Sequence, residues 1–434
     1  MPSGKQSAWP NPAIINSSIE IDTGFDSRKS AILEASFILL MKGWIPKGDG
    51  TGQLSLSDMR FRPSIIDEFR FLRRHFNPAW IIIYFLYCIL TFKNPFQVIY
   101  GFCKAIRIKQ QPLFSNPIGR TTIPEDDEFS LIRQKKSVRI IIPTYNRYDV
   151  LDDVLRDLER LDYAYFSVTV VDQSDPYNES FYDKYKLDIN LIRQKNPGLW
   201  RARNQAILHS TEEIIALIDD DSRISADWLR KHLQCLDFFG AEISAGVSIS
   251  KVGARVPENY SFYRLSDQLD TGNVVLRRSV FEICGLFDEQ FEGLRMGDGE
   301  FGLRAHKEGI LSISNPEARR YHLKLESGGL RQVGSWDALR PTRFFQPKPI
   351  PSVIYLACTH FGKSVAWRYI LTSVPFSFSP YSWKSTLRGD MLSLFLFIVL
   401  LPLVVFQVSW SWLVASSLIK EGPIINQLFP LGTE

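Results

Sequence analysis

Residues 138–161 read VRIIIPTYNRYDVLDDVLRDLERL, and two hydrophobic periods meet inside this stretch. Val138 to Pro143 is an unbroken apolar run of strand length, the pattern of a strand buried on both faces. Beyond PTYNR the spacing changes. Val150, Leu151, Val154, Leu155, Leu158 and Leu161 recur every three or four residues, which places them on one face of a helix. The rhythm continues downstream: SVTVVD (Ser167 to Asp172) predicts a second strand, INLIRQ a weaker third, LWRARNQAILHS a helix and EIIALID (Glu213 to Asp219) a fourth strand. Strand and helix in alternation predict an α/β fold with a mostly parallel, doubly wound sheet.

In such a sheet, ligands bind beyond the carboxyl ends of the strands. Three predicted ends carry polar groups: PTYNR after the first strand, DQSD after the second and DDDS after the fourth. One acid after a strand is often only a helix N-cap, but three polar ends in one sheet point to a ligand site. Asp219, Asp220 and Asp221 stay ionised together only beside a cation or hydrogen-bond donors. Alternation at a strand end predicts Asp219 and Asp221 on one side and Asp220 turned away, dispensable to the chemistry. Carboxylate oxygens suit Mg²⁺ or Mn²⁺, and such an ion would hold a diphosphate. The competing reading is an exposed acidic turn capping the helix of SADWLRKHL.

The segments VRIIIPTYNRYDVL, VTVVDQSD, NPGLWRARNQAI, IIALIDDDSRI and GDGEFGLRAHKEG stand in a characteristic order and spacing. Over roughly residues 136–325 the chain resembles the family 2 glycosyltransferases, whose GT-A fold is Rossmann-like. The resemblance implies an inverting enzyme with a UDP-, GDP- or dTDP-linked sugar donor and Mn or Mg as cofactor. It implies that Pro143, Thr144 and Tyr145 border the nucleotide, that Arg147 lies beside it, and that Asp172 accepts hydrogen bonds from the base. Asn196, Gly198, Arg203 and Asn204 match the family's Asn-x-Gly-x-x-x-Ala-Arg-Asn, with amides of the following helix start turned toward an anion. Asp219 would reach the ribose, Asp221 and His322 the metal, and Asn273 the donor sugar. Asp298 takes the catalytic-base position, with Glu300 as second acid. Gly297 departs from the Glu that many members carry there. Gly328 and Gly329 would belong to a closing loop, and Arg331 would contact the diphosphate.

Outside the predicted domain at 136–335 the character changes. Met391 to Ile419 carries no charged side chain over 29 positions, more than the about 20 apolar residues that cross a hydrocarbon core. This predicts a C-terminal transmembrane helix, kinked at Pro402. Lys363, Arg368, Lys384 and Arg388 precede it and Lys420 alone follows, which predicts a cytoplasmic catalytic domain and a tail on the far side. The aromatic residues within 350–388 suggest a juxtamembrane region lying along the surface. Residues 1–130 form an N-terminal extension in which AWIIIYFLYCILTF (Ala79 to Phe92) is short for a span and predicts a monotopic or buried helix. Residues 121–136 read as a polar linker.

The first 110 residues hold 14 Lys or Arg and 8 Asp or Glu, a local excess that suits an anionic membrane surface. The overall net charge of +4 is too mild to suggest a nucleic-acid partner. Cys88, Cys103, Cys235, Cys284 and Cys358 are odd in number and never spaced as CxxC, so we expect neither a disulfide frame nor a zinc site. The N-terminus lacks the apolar run of a signal peptide. Together these features predict a membrane-anchored glycosyltransferase acting on a hydroxyl acceptor, either a lipid-linked glycan or a cell-surface polysaccharide. A processive synthase would carry Gln-x-x-Arg-Trp, whereas between Gln332 and Trp336 the Arg is missing, Ser335 standing in its place. A non-catalytic glycan- or nucleotide-sugar-binding scaffold would not need both Asp221 and Asp298.

Overall fold

The computed structural model describes residues 9–12, 19–46, 54, 61–125, 128–250, 256–266, 269–323, 330, 338–339, 343, 345–380, 383 and 386–429. The chain forms two compact units, Gly4–Arg120 with Pro375–Val399, and Thr121–Val374 with Leu400–Glu434.

The first unit contains helices α1 (Arg28–Met41), α2 (Ile65–His75), α3 (Ala79–Leu90) and α4 (Pro95–Ile106). Three of these starts are written locally: the side chains of Ser27, Ser64 and Asn94 accept hydrogen bonds from first-turn amides. Phe69, Ile81, Cys88, Val98 and Ala105 form a small shared core of α2, α3 and α4. Arg74 and His75 of α2 pair with the buried Glu34 of α1 at 2.5 and 2.7 Å.

In the second unit, β1 (Val138–Thr144), β2 (Phe166–Asp172), β3 (Ile189–Arg193) and β4 (Ile214–Ile218) form the parallel half of a mixed, mostly parallel sheet. The strand order is β3-β2-β1-β4-β8-β6-β9-β5, with β7 (Arg264–Leu265) paired to β9. Here β5 is Ser222–Ile224, β6 Ile243–Ser250, β8 Asn273–Arg277 and β9 Ser312–His322. Helices α5 (Tyr148–Leu158), α6 (Leu199–Leu208) and α7 (Trp228–Phe239) alternate with the strands, as the hydrophobic periods predict. Helix α7 stops at Gly240, whose φ of 57° is left-handed. Helix α8 (Gly297–Lys307) precedes β9, and α9 (Pro351–Phe361) and α10 (Lys363–Ser373) follow it.

Three expectations are corrected here. The supposed linker is part of the catalytic unit: Ile123, Phe129 and Leu131 are buried, and Asp237 accepts from Ser130 Oγ and Leu131 N. Likewise α9 buries Val353, Ile354 and Tyr355 in that unit and is not a surface-lying juxtamembrane segment. The apolar run 391–419 is broken at Leu400 into α11 (Leu387–Val399) and α12 (Leu401–Glu421), which belong to different units.

Among the described residues, α12 is the one helix long and apolar enough to cross a membrane. It nevertheless buries a small and polar stripe, Val404, Gln407, Ser411 and Ala415, and turns Val405, Phe406 and Leu413 outward. Ser411 Oγ donates to Pro349 O at 2.5 Å, and Gln407 O accepts from Lys348 N at 3.3 Å. The tail then returns to the catalytic unit, where Asn426 O accepts from Leu286 N at 2.8 Å and Ile424 N donates to Asp288 Oδ1 at 2.9 Å.

Candidate active site

The polar strand ends converge because β1, β2 and β4 are parallel neighbours, with Thr144 opposite Asp172 and Ile141 opposite Leu217. Strand β4 stops at Ile218, and Asp220 and Asp221 lie in a turn leading to β5. Strand alternation therefore does not extend through the acids. Asp220 is buried and inward, accepting from Thr144 Oγ1 at 2.9 Å and Arg147 Nη1 at 3.3 Å. This corrects the expectation that it turns away. Burial pushes its carboxyl up to about 7 against the opposing pull of Arg147, with Asp221 and Asp219 adding to the rise.

Asp219 is clamped between two buried guanidiniums: Arg203 Nη2 reaches Oδ1 at 2.7 Å and Arg320 Nη1 reaches Oδ2 at 3.0 Å. Arg320 also pairs with Asp270 at 3.0 Å and donates to Ser222 and Ser248. Burial alone would raise the Asp270 carboxyl, but Arg320 outweighs it and the net shift is downward. Gly272 permits this packing, since a Cβ there would lie 2.1 Å from Arg320 Nη1 and 2.3 Å from Asp219 Oδ2.

Asp221 Oδ2 lies 3.3 Å from Arg147 Nη1 and 3.2 Å from His322 Nε2. Single ligand atoms of Asp219, Asp221 and His322 all lie within 4.8 Å of one another. The set is oxygen, oxygen and imidazole nitrogen, which fits Mn²⁺ or Mg²⁺. Because both Asp219 oxygens are already engaged by arginines, Asp221 and His322 are the better-placed ligands.

Asp172 is fully buried, accepting from Tyr148 and Tyr182 hydroxyls at 2.7 and 2.8 Å and from Ser174 N at 2.9 Å. Burial and the Asp172 charge push the Tyr182 hydroxyl far up, so it stays a donor. Pro143 is buried beside Thr144, Tyr145 is half-buried, and Asn196 is exposed in the loop before α6. Gly198 N donates to Gln173 Oε1 at 2.6 Å. Asn204 is turned inward, exchanging hydrogen bonds with the Phe287 backbone at 2.9 Å.

Two donor-side expectations fail. The first amides of α6 do not await an anion: Leu199, Trp200 and Arg201 N all donate to the Glu292 carboxylate, at 2.6, 3.0 and 3.1 Å. An acid distant in sequence has taken the helix N-terminus. Asn273 is wholly buried and faces inward, donating to Val247 O and Ala318 O while Trp228 Nε1 donates to its Oδ1 at 2.7 Å and His232 Nε2 lies 3.2 Å from it. Its side chain is committed to joining β6, β9 and α7 and has no capacity left for a sugar.

Asp298 and Glu300 share the first turn of α8 but differ in environment. Asp298 is half-buried, and its Oδ1 accepts from Gly299 N at 2.8 Å. Glu300 is buried, bound by Arg304 at 2.9 Å and next to His360 Nε2 at 3.1 Å. Burial would raise the Glu300 carboxyl, but His360 and Arg304 hold it below the usual range, a poor setting for accepting a proton. Gly297 is explained by Trp200: a Cβ would sit 2.5 Å from that indole. The loop enters α8 through Met296, a non-glycine residue with φ of 81°.

Glu292, Arg320, Asp270 and Gln173 escaped the sequence reading. Of these only Arg320 left a signal, since Arg320 and His322 alternate on one face of β9. Gly328, Gly329, Arg331, Gln332 and Trp336 lie outside the described residues.

Residues 139–285 match the family model "Glycosyl transferase family 2". The chain is similar to chondroitin synthase of Escherichia coli, 25% identical over 233 residues. That match covers 42% of this chain and 34% of the relative, so the chain spans about a third of that protein's length. Among solved structures, TarS of S. aureus is 18% identical, with 57% of this chain and 44% of that chain covered at a TM-score of 0.39. The mannosyltransferase PcManGT from Pyrobaculum calidifontis, in complex with GDP-Man and Mn²⁺, is 14% identical, with 81% and 96% covered at a TM-score of 0.41.

Proposed function

We propose, from the premise that residues 139–285 make this chain a family 2 glycosyltransferase using nucleotide-sugar donors, that it transfers the sugar with inversion to a hydroxyl acceptor at a membrane. The observation that carries this reading is the gathering of Asp219 and Asp221, just beyond β4, with His322 of β9 at the edge where Thr144 and Asp172 also end their strands.

Asp298 takes the proton of the acceptor hydroxyl as its oxygen attacks the anomeric carbon, and the bond from that carbon to the nucleoside diphosphate breaks on the opposite face. Asp298 stands half-buried in the first turn of α8, whereas Glu300 is held by Arg304 and His360 and orients the helix. A divalent ion, Mn or Mg, bound by Asp221 and His322 would supply Lewis acidity that neutralises the departing diphosphate. Arg203 and Arg320 hold Asp219 rigidly for the donor's ribose side, and Thr144, Arg147 and Asp220 border the nucleotide.

The outward face of α12, with Val405, Phe406 and Leu413 exposed, supports attachment to a membrane. The similarity to chondroitin synthase supports a glycan hydroxyl as acceptor, on a lipid-linked glycan or a cell-surface polysaccharide.

The test is a panel of UDP-, GDP- and dTDP-sugars with the purified full chain, Mn²⁺ or Mg²⁺ and an oligosaccharide acceptor. Turnover that stops on chelation and in Asp221→Ala, with the anomeric configuration of the product inverted by NMR, is expected. No turnover with any donor, together with donor binding unchanged in Asp221→Ala, would overturn the reading.

A further inference from the structure

We propose that the hairpin of α3 and α4 is a second membrane-contact surface, seated in one leaflet of an anionic bilayer independently of α12. Between Ala79 and Cys103 the single charged side chain is Lys93. The inner face of the hairpin is covered by α2, through Phe69 packed with Ile81, Cys88 and Val98. Its outer face is uncovered among the described residues: residues 90–97 are all exposed, and Leu90, Phe92 and Phe96 are 77, 96 and 82% exposed. Leu86 and Ile99 extend this surface along the two arms. At the apex Phe92 adopts a left-handed φ of 53°, in a turn closed by Phe92 N to Ile89 O and Lys93 N to Cys88 O. A bulky residue pays strain in that conformation, here to place an aromatic ring in solvent. A continuous apolar surface of this kind marks an interaction site.

Three features favour lipid as the occupant. Each arm has 12 residues, about 18 Å of helix, too short for the ~30 Å core but matched to a single leaflet. The apolar run ends in exposed Lys104, Arg107 and Lys109, a cationic rim complementary to anionic headgroups. Tyr100 and Trp80, both partly exposed, lie toward that rim, where amphipathic rings prefer the interface. A second copy of the chain would set one basic rim against another, which opposes self-association through this face.

The test uses the full chain bound to phosphatidylcholine–phosphatidylglycerol vesicles that carry an acyl-chain diazirine lipid, with labelled peptides mapped by mass spectrometry. Label is expected on the peptide spanning 86–99. The triple variant Leu90→Glu, Phe92→Glu, Phe96→Glu should lower it by roughly tenfold or more, since each charge opposes entry into hydrocarbon. Label on α12 and donor turnover should stay unchanged, the latter also showing that the variant folds. Absence of label on 86–99 in the wild type, or label unaffected by the triple variant, would overturn the proposal. So would a dimer in sedimentation that the triple variant dissociates without lipid label, which assigns the face to a second copy. Donor turnover is read separately, so failure here leaves the enzymatic reading standing.

Discussion

Replacing Asp219 and Asp221 by alanine one at a time separates two acids of one motif that hold different partners. Asp219→Ala removes the shared partner of Arg203 and Arg320, whose side chains are 0 and 1% exposed. Taking one member from a buried ion pair leaves the other charge behind and costs about 3–5 kcal/mol. Arg320 keeps Asp270 at 3.0 Å and Arg203 keeps Thr271 O at 3.0 Å. The lower end, about 3 kcal/mol, is therefore expected. At about 2–4 °C per kcal/mol for a unit of this size, the melting temperature falls by about 6–12 °C. Asp221→Ala leaves Arg147 its contact with Asp220 and relieves repulsion between neighbouring acids, so melting in chelator moves by no more than about 3 °C. The assay is thermal unfolding of the full chain in detergent, first with EDTA and then with Mn²⁺ and donor. Wild type should gain stability on adding ion and donor, and Asp221→Ala should not. Equal melting of the two variants in EDTA, or an undiminished ion-dependent gain in Asp221→Ala, would refute this division of labour.

Asp298→Asn is expected to lower turnover roughly 10²–10⁴-fold while calorimetry shows unchanged donor affinity; Glu300→Gln should instead lower the melting temperature more than it lowers turnover. Glu292→Ala strips three amides of their acceptor at the start of α6 and should cost about 2 kcal/mol in urea unfolding; an unchanged midpoint would count against the cap. Burial pushes His232 down to about 4 from its usual 6.5, so the fold holds the neutral ring. Its contribution is complete above about pH 6.5 and lost as pH falls through 4, about 3 kcal/mol in all. Urea unfolding across that interval should show the decline, flattened in His232→Gln.

The alternating elements from Val138 to Asp219 were legible because two buried periods alternate there without interruption. Motif register named Asp298 and Glu300 alike but not their different surroundings, because Glu300 is held by Arg304 and His360, one of them 60 residues away. Asn273 shows the limit of a motif, which names a residue but not the direction of its side chain; Trp228 and His232 turn it inward. Glu292 left no local trace, because a carboxylate capping a helix 91–93 residues earlier needs no sequence neighbour. Helix α12 was legible by composition as a long apolar helix. Its buried face was not, for it shows only in Gln407 and Ser411, four residues apart within that run.

Helix α9 has a consequence for the acceptor. Its Tyr355 hydroxyl donates to Asp288 and its His360 lies against Glu300 on the helix that carries Asp298. Ser411 fastens α12 to Pro349 at the start of α9, and Trp412 stacks on Trp367 at 4.4 Å. Asp298 is thus strutted to α12. If the outer face of α12 rests in lipid, as proposed, that carboxylate would keep a constant altitude above the bilayer. A lipid-borne acceptor would then be gauged by its own height, the membrane serving as the zero mark and no pocket being needed for the distant end. A ladder of lipid-linked acceptors of increasing length should show one optimum on vesicles, and the optimum should vanish when the same acceptors are offered in detergent solution.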